Sequence, residues 1–589
     1  CCRRSTHCSP SICRPLSSAS ASAEVSSAVR IHLDLREPER QTVRVSLSWS
    51  PETVHQSWQM PVWTPGSYTV RDHVQHLHSL RLESEGEPVP FRRVTPSRWQ
   101  ADLPHLAPLT LSYAVEARNL TVRTCHLDPD LASLCLAGLA MEVEGCRWSA
   151  HQLTVSAPED WSVHVPLDHS GEGWIAADFD ALVDSPVHAG SLEVRHFRVL
   201  DHQHQLLLIG APPGGWPPSL LDDVIAVCEA TCRLMGTPPP AADRYQLVLI
   251  LLENGYGGLE HDHGAVLHYS WAALEKPEGY RQLLQLIGHE YLHQWNVRRL
   301  RPAELRPYNY GSAVISEGLW FAEGITSYFD LALTLLAGRS DRPTFLADLG
   351  DELSRVQLTP GRRVQSLSDS AREAWVKLYK ATATSRDTQV SYYRLGAATA
   401  FCLDVRLRRR NSSLSSLLRR LWGSHGSSAR GFHRGDIQAL LAESDPALSD
   451  DLATWLDQPD SLPLEACTQE LGLRLDPEMR SSPDPGMTLR DEGGAVLVSR
   501  VRPGGPAATA ALVPDDELIA VRGRRLRRMT DISGLLKGST PVPIVYARRG
   551  CLAETHLIPD EAVDRWLLSW DPGSSASQRA LRDQWFQIL

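Results

Sequence analysis

Two histidines four positions apart, with a glutamate directly after the first, stand in His289-Glu290-Tyr291-Leu292-His293 within an apolar-periodic run that begins near Gln285. That run predicts a helix, and residues four apart on a helix project from one face, so both imidazoles can reach one ion. Glu290 is turned away by one helical step, which suits a base that reaches a metal-bound water without ligating the metal. Zinc is catalytic with three protein ligands and one open position, where a bound water ionises near neutral pH. The chemistry predicted is metal-assisted hydrolysis with Glu290 as general base. Histidine is frequent here, 23 in 589 residues, so the pattern needs company before it identifies anything.

A third ligand has to come from elsewhere. The next helical segment, Ser316-Glu317-Gly318-Leu319-Trp320-Phe321-Ala322-Glu323-Gly324, offers two carboxylates. Six positions on a helix amount to about 240° of rotation, so Glu317 and Glu323 cannot share a face and one alone can join the imidazoles. Spacing does not choose between them.

The elements that must position these groups fall into blocks. Val29 to Leu35 and Val43 to Trp49 alternate apolar with polar residues, the mark of half-buried strands, and predict an all-β N-terminal domain over 25–200. From about Pro217 the period becomes helical (Leu221, Val224, Ile225, Cys228), which predicts a mostly helical domain over 201–460 with short strands at its start, such as Gln246 to Ile250. A Pro/Asp-rich stretch then opens a β-rich block over 461–560, and a Trp-bearing tail occupies 561–589. Residues 1–24 are Arg/Ser-rich with four cysteines and read as a disordered or leader segment. The fold class expected is multidomain α+β.

Composition narrows the partners. A net charge of −11 offers no general attraction to nucleic acid, and the basic segment Arg406 to Arg420 reads as the solvated face of an amphipathic helix. Apolar stretches such as Leu247 to Leu252 fall far short of the ~18 residues that span a membrane. The cysteines show no CxxC spacing and no secretory pattern is seen, so a reducing, cytoplasmic compartment is the expectation.

The run His289 to Pro302 resembles the glycyl aminopeptidase family, zinc peptidases of the gluzincin group that carry a C-terminal PDZ domain. The family's Leu-Trp-x-x-Glu-Gly-x-Thr-Ser-Tyr-Tyr block is matched by Leu319 to Phe329, with Phe329 in place of the last Tyr. The resemblance implies Glu323 as third ligand of one Zn²⁺ per chain, a thermolysin-like catalytic domain, and Glu317 as a helix-start residue. Gly257-Gly258-Leu259-Glu260-His261 is similar to the family's G-G-x-E-H segment, whose acid anchors the substrate's α-amine in related aminopeptidases. Unaided, that Gly-Gly pair reads as a loop. Val390 to Gly396 resembles the family's S-Y-Y-x-K-G segment, with Leu395 at the Lys position, and implies Tyr393 as donor to the oxyanion. Pro61-Val62-Trp63-Thr64-Pro65-Gly66-Ser67-Tyr68 matches a rigid family turn, taken as structural. Val501 to Gly523 resembles a PDZ domain in which Ala511 and Asp515 replace two glycines, so altered turn geometry is expected. A peptide or C-terminal ligand there is the partner implied, with Leu471-Gly472-Leu473-Arg474 available as its carboxylate loop. A closed structural module is the other expectation.

The activity expected is hydrolysis of the N-terminal peptide bond of peptides, with the family implying preference for Gly and Ala. Two alternatives stand beside it: a zinc endopeptidase on the same scaffold, if Glu260 lies away from the cleft, and a non-catalytic PDZ-containing peptide-binding protein.

Overall fold

The alternation in the first strands is used as it reads. Val29, Ile31 and Leu33 are buried, as are Val43, Val45, Leu47 and Trp49, and the two strands pair antiparallel with Ile31 opposite Leu47. They sit centrally in an eight-stranded sheet that, with two four-stranded sheets, makes the N-terminal domain. The computed structural model describes residues 29–588, apart from 242–243, 533 and 537–540; the leader reading of residues 1–24 lies outside the described residues. Among the described residues no helix is long and apolar enough to cross a membrane.

The next unit opens with a five-stranded sheet in the order Glu193–Val199, His202–Ile209, Tyr245–Leu252, Gly264–Ser270, Tyr256–His261. Its three middle strands are parallel. Tyr245–Leu252 is apolar along nearly its whole length because a parallel strand is covered on both faces. The Gly257-Gly258 segment is not a loop: it lies in the antiparallel edge strand Tyr256–His261, with Gly257 opposite His268. A Cβ on Gly258 would overlap the Glu290 carboxylate, so the bare backbone is what lets this edge lie against the motif helix.

The motif helix packs on that edge, and two further helical stretches pack beside it. The motif helix Pro277–Leu292 starts with Pro at its first turn, where no amide donor is needed, and buries Leu283, Leu284, Leu286 and Ile287. The second begins as a π-helical turn, Trp320–Gly324, and continues as the α-helix Ile325–Leu336. The third is Tyr392–Arg408. A Cβ on Gly324 would come 2.5 Å from the Gly396 Cα, so two glycines bring the second and third helices into backbone contact.

The β-rich block is a six-stranded PDZ-like sheet with its own core, including Val498, Leu518, Val521, Ile544 and Leu557. Ala511 and Asp515 adopt φ of 57° and 70°, so the left-handed turns that glycine normally supplies are kept despite the substitutions, contrary to the altered geometry expected. The chain enters the module through Leu473–Met479 and leaves through Val563–Trp570, and these strands pair with each other. Leu473 and Arg474 therefore lie in this stalk rather than beside the PDZ sheet, whose edge strand Met487–Glu492 comes later. Residues expected as a tail fold back. The helix Ala576–Trp585 buries Trp585 against Phe345 and Phe401, and its indole donates to Tyr328 Oη at 2.8 Å. The module also touches the helical body through Arg500, whose Nε donates to Asp387 at 2.9 Å.

Candidate active site

His289 and Glu290 occupy the last turn of the motif helix and His293 caps it, so both imidazoles and the carboxylate emerge where the helix meets the edge strand. The Nε2 atoms of His289 and His293 lie 3.5 and 3.3 Å from Glu323 Oε2. The three ligand atoms are all within 4.8 Å of one another. A tetrahedral ion about 2.1 Å from each donor requires neighbouring donors about 3.4 Å apart, so this trio fits zinc in both chemistry and spacing. Glu317 does not compete: its carboxylate pairs with Arg372 at 2.5 Å and with Arg434 at 3.6 Å.

The outer face of each imidazole is held. His289 Nδ1 lies 2.9 Å from Asp330 Oδ2, and His293 Nδ1 lies 2.6 Å from the Asn296 carbonyl. Both bonds direct Nε2 to the centre. The Asn296 side-chain amide donates in turn to the Phe321 and Ala322 carbonyls at 3.2 and 3.1 Å. It thereby ties the end of the motif helix to the π-helical turn that presents Glu323. Such single π turns place a side chain where a regular helix would not.

Electrostatics separate the carboxylates. Burial pushes Glu290 up to about 7, with Glu260 and Glu323 adding to the rise and the two histidines opposing it. Burial also acts on Glu323, but His293 and His289 outweigh it and hold that group at about 2. One carboxyl is thus poised to take a proton and the other stays ionised. Glu290 Oε2 is buried without a hydrogen-bond partner among the described residues, as a group waiting for water or substrate would be.

Glu260 is 3% exposed, and its carboxylate belongs to one cluster with Glu290 and His293, all within 4.8 Å. The turn taken as structural reaches the same place: a Cβ on Gly66 would stand 2.6 Å from Glu260 Oε2. Arg123 of the N-terminal domain donates to the Gly258 carbonyl at 3.1 Å. Beneath them, buried Arg298 pairs with Asp184 of the N-terminal domain at 2.7 Å and with Asp262 at 2.9 Å, clamping that domain to the edge strand. The Tyr393 ring lies nearly parallel to that of His289, at 22° and 6.5 Å between centroids.

His289, His293, Glu323, Glu290 and Glu260 lie together, with Gly258 against Glu290 and Tyr393 beside His289; Gly257 sits one residue further along the edge strand, opposite His268. Asp330, Asn296, the Gly66 turn and Tyr379, whose hydroxyl lies 2.9 Å from that of Tyr393, were not singled out for the site. Asp330 could have been, since it stands seven positions after Glu323, two turns along one helix. The others arrive from loops, where spacing carries no signal.

A β domain joined to a helical domain whose cleft carries two imidazoles, three carboxylates and a tyrosine has the layout of a metallopeptidase. Comparison with known proteins is specific. Residues 30–191 match the Peptidase M61 N-terminal domain, 282–399 match M61 glycyl aminopeptidase, and 497–548 match a PDZ domain. With both its N-terminal and its helical segment matched by M61 models, the chain is a peptidase. An aminopeptidase N family protein from Idiomarina loihiensis is similar over 95% of this chain and 100% of its own, at 27% identity and a TM-score of 0.87. An M1 zinc metallopeptidase from Deinococcus radiodurans is similar over 74% of this chain and 95% of its own, at 14% identity and a TM-score of 0.49. No curated protein matches.

Proposed function

We propose that this peptidase is a zinc-dependent aminopeptidase that removes the first residue of peptides, with Gly and Ala favoured in that position. One observation carries the reading: Glu260, a buried carboxylate with an oxygen that has no hydrogen-bond partner among the described residues, stands within 4.8 Å of Glu290 and His293. A substrate ammonium paired with Glu260 fixes the chain end beside the ligand trio, so the first peptide bond is the one presented for cleavage. His289, His293 and Glu323 would hold one Zn²⁺, since the second acidic cluster shares His293 with the first. Bound there, the ion supplies Lewis acidity toward a water and the scissile carbonyl.

The chain's own residues do the rest. Glu290, raised to about 7, accepts the proton of the attacking water and returns it to the leaving amine. Tyr393 donates to the carbonyl oxygen as it becomes negative. Gly258 lies tight against Glu290, and the Gly66 turn crowds Glu260 from the opposite domain, which supports a small first side chain.

The test is a panel of peptides beginning with Gly, Ala, Leu or Lys, each with a free or an acetylated amine, given to enzyme purified without added metal. Free Gly and Ala peptides should be cleaved fastest and acetylated ones spared. Equal cleavage of acetylated peptides would establish an endopeptidase instead. Absence of stoichiometric zinc together with absence of turnover would leave a peptide-binding module.

A further inference from the structure

Three tyrosine hydroxyls meet at the edge of the cleft. Tyr379 Oη lies 3.0 Å from Tyr392 Oη and 2.9 Å from Tyr393 Oη. Tyr379 comes from a short 3-10 turn, Leu378–Lys380, in the connection that precedes the helix bearing the other two. Tyr392 is fully buried, Tyr393 half-buried with its ring beside that of His289.

Three hydroxyls carry three protons, and two hydrogen bonds use two of them. One proton is left over, and its place decides what the cluster can do. It cannot rest on Tyr392 without cost, because an enclosed O–H with no acceptor loses its hydration and receives nothing in return. Among the described residues Tyr379 is the partner of the Tyr392 hydroxyl, so Tyr392 donates to Tyr379. Tyr379 then has its own proton to place, and Tyr393 Oη is its remaining neighbour within bonding distance among the described residues.

We propose that Tyr379 is a positioning residue that aims Tyr393: the bonds run from Tyr392 to Tyr379 to Tyr393, leaving the Tyr393 proton free for the substrate's carbonyl oxygen. A hydroxyl that accepts a hydrogen bond becomes a stronger donor, so the chain both orients and polarises the Tyr393 O–H. The inference rests on the reading of Tyr393 as oxyanion donor.

Zinc-loaded Tyr393→Phe, Tyr379→Phe and the double variant test it with Gly-peptide substrates; Phe keeps each ring and its packing. Tyr393→Phe should lower kcat by about 10²-fold or more. Tyr379→Phe should lower kcat by roughly tenfold with KM nearly unchanged, and the double variant should be no slower than Tyr393→Phe alone. Wild-type kcat in Tyr379→Phe, or a loss that multiplies in the double variant, overturns the relay while the oxyanion reading stands. Wild-type kcat in Tyr393→Phe removes both. Should Tyr379→Phe fail to fold, Tyr392→Phe decides: a kcat loss that vanishes in the Tyr393→Phe background supports the relay, and no loss overturns it.

Discussion

The cleft and the PDZ-like module are built on opposite plans. Around the cleft, one continuous hydrophobic core runs from Val29 in the first strand to Ile588 near the end of the chain, joining the N-terminal sheets, the helices and the returning C-terminal helix. Around the candidate ligand trio, Asp330 stands behind His289, the Asn296 carbonyl behind His293, and the Asn296 amide holds the π turn that carries Glu323. The PDZ-like module has a separate core and is joined to the body by one strand pair and by the Arg500–Asp387 ion pair. The difference teaches where this molecule concentrates its bracing. A site that must hold three donors near a fixed spacing is braced from two domains, whereas an appended module with its own core needs little more than its attachment.

The contrast can be broken most severely at Glu290. Glu290→Gln should keep bound zinc, measured by elemental analysis, yet reduce turnover by about 10²- to 10⁴-fold, because the base goes while the ligands remain. Retained turnover would transfer the base role elsewhere. Next, Asp330→Ala should weaken zinc binding by roughly 10- to 100-fold in a competition titration against a chelator, because His289 loses the group that orients its ring. Unchanged affinity would show that the brace is dispensable.

Changes in the module should leave the cleft alone. Arg500→Ala removes the buried guanidinium that pairs with Asp387, and faster proteolysis of the 473–570 region is expected, with kcat within about twofold of wild type. A large kcat loss would mean that the module and the cleft are one mechanical unit. Smallest of all, Ala511→Gly should stabilise the module by about 1 kcal/mol, seen as a higher unfolding temperature for its transition, since glycine adopts φ of 57° without strain.

Much of the site was legible in the sequence because it obeys helical arithmetic. The spacing of His289 and His293, and the one-step offset of Glu290, follow from 3.6 residues per turn whatever surrounds the helix. The strand alternation of Val29–Asp34 and Thr42–Trp49 was equally plain, since one face of each is buried. The Gly-Gly segment was harder: alone it reads as a loop, and it became an edge strand because the sheet supplied Gly264–Ser270 as its partner. Glu323 and Glu317 were indistinguishable by spacing, and the structure separates them by what each faces, two imidazoles or two arginines.

What the sequence determined by itself is the chemistry on the motif helix and the order of the domains, because both follow from local periodicity and residue type. What only the tertiary structure decided is everything that approaches that helix from elsewhere: the Gly66 turn against Glu260, Asp330 behind His289, and Tyr379 beside Tyr393. Those contacts join residues tens to hundreds of positions apart, and they form where close packing of separate elements closes the cleft, a condition that no window of sequence contains.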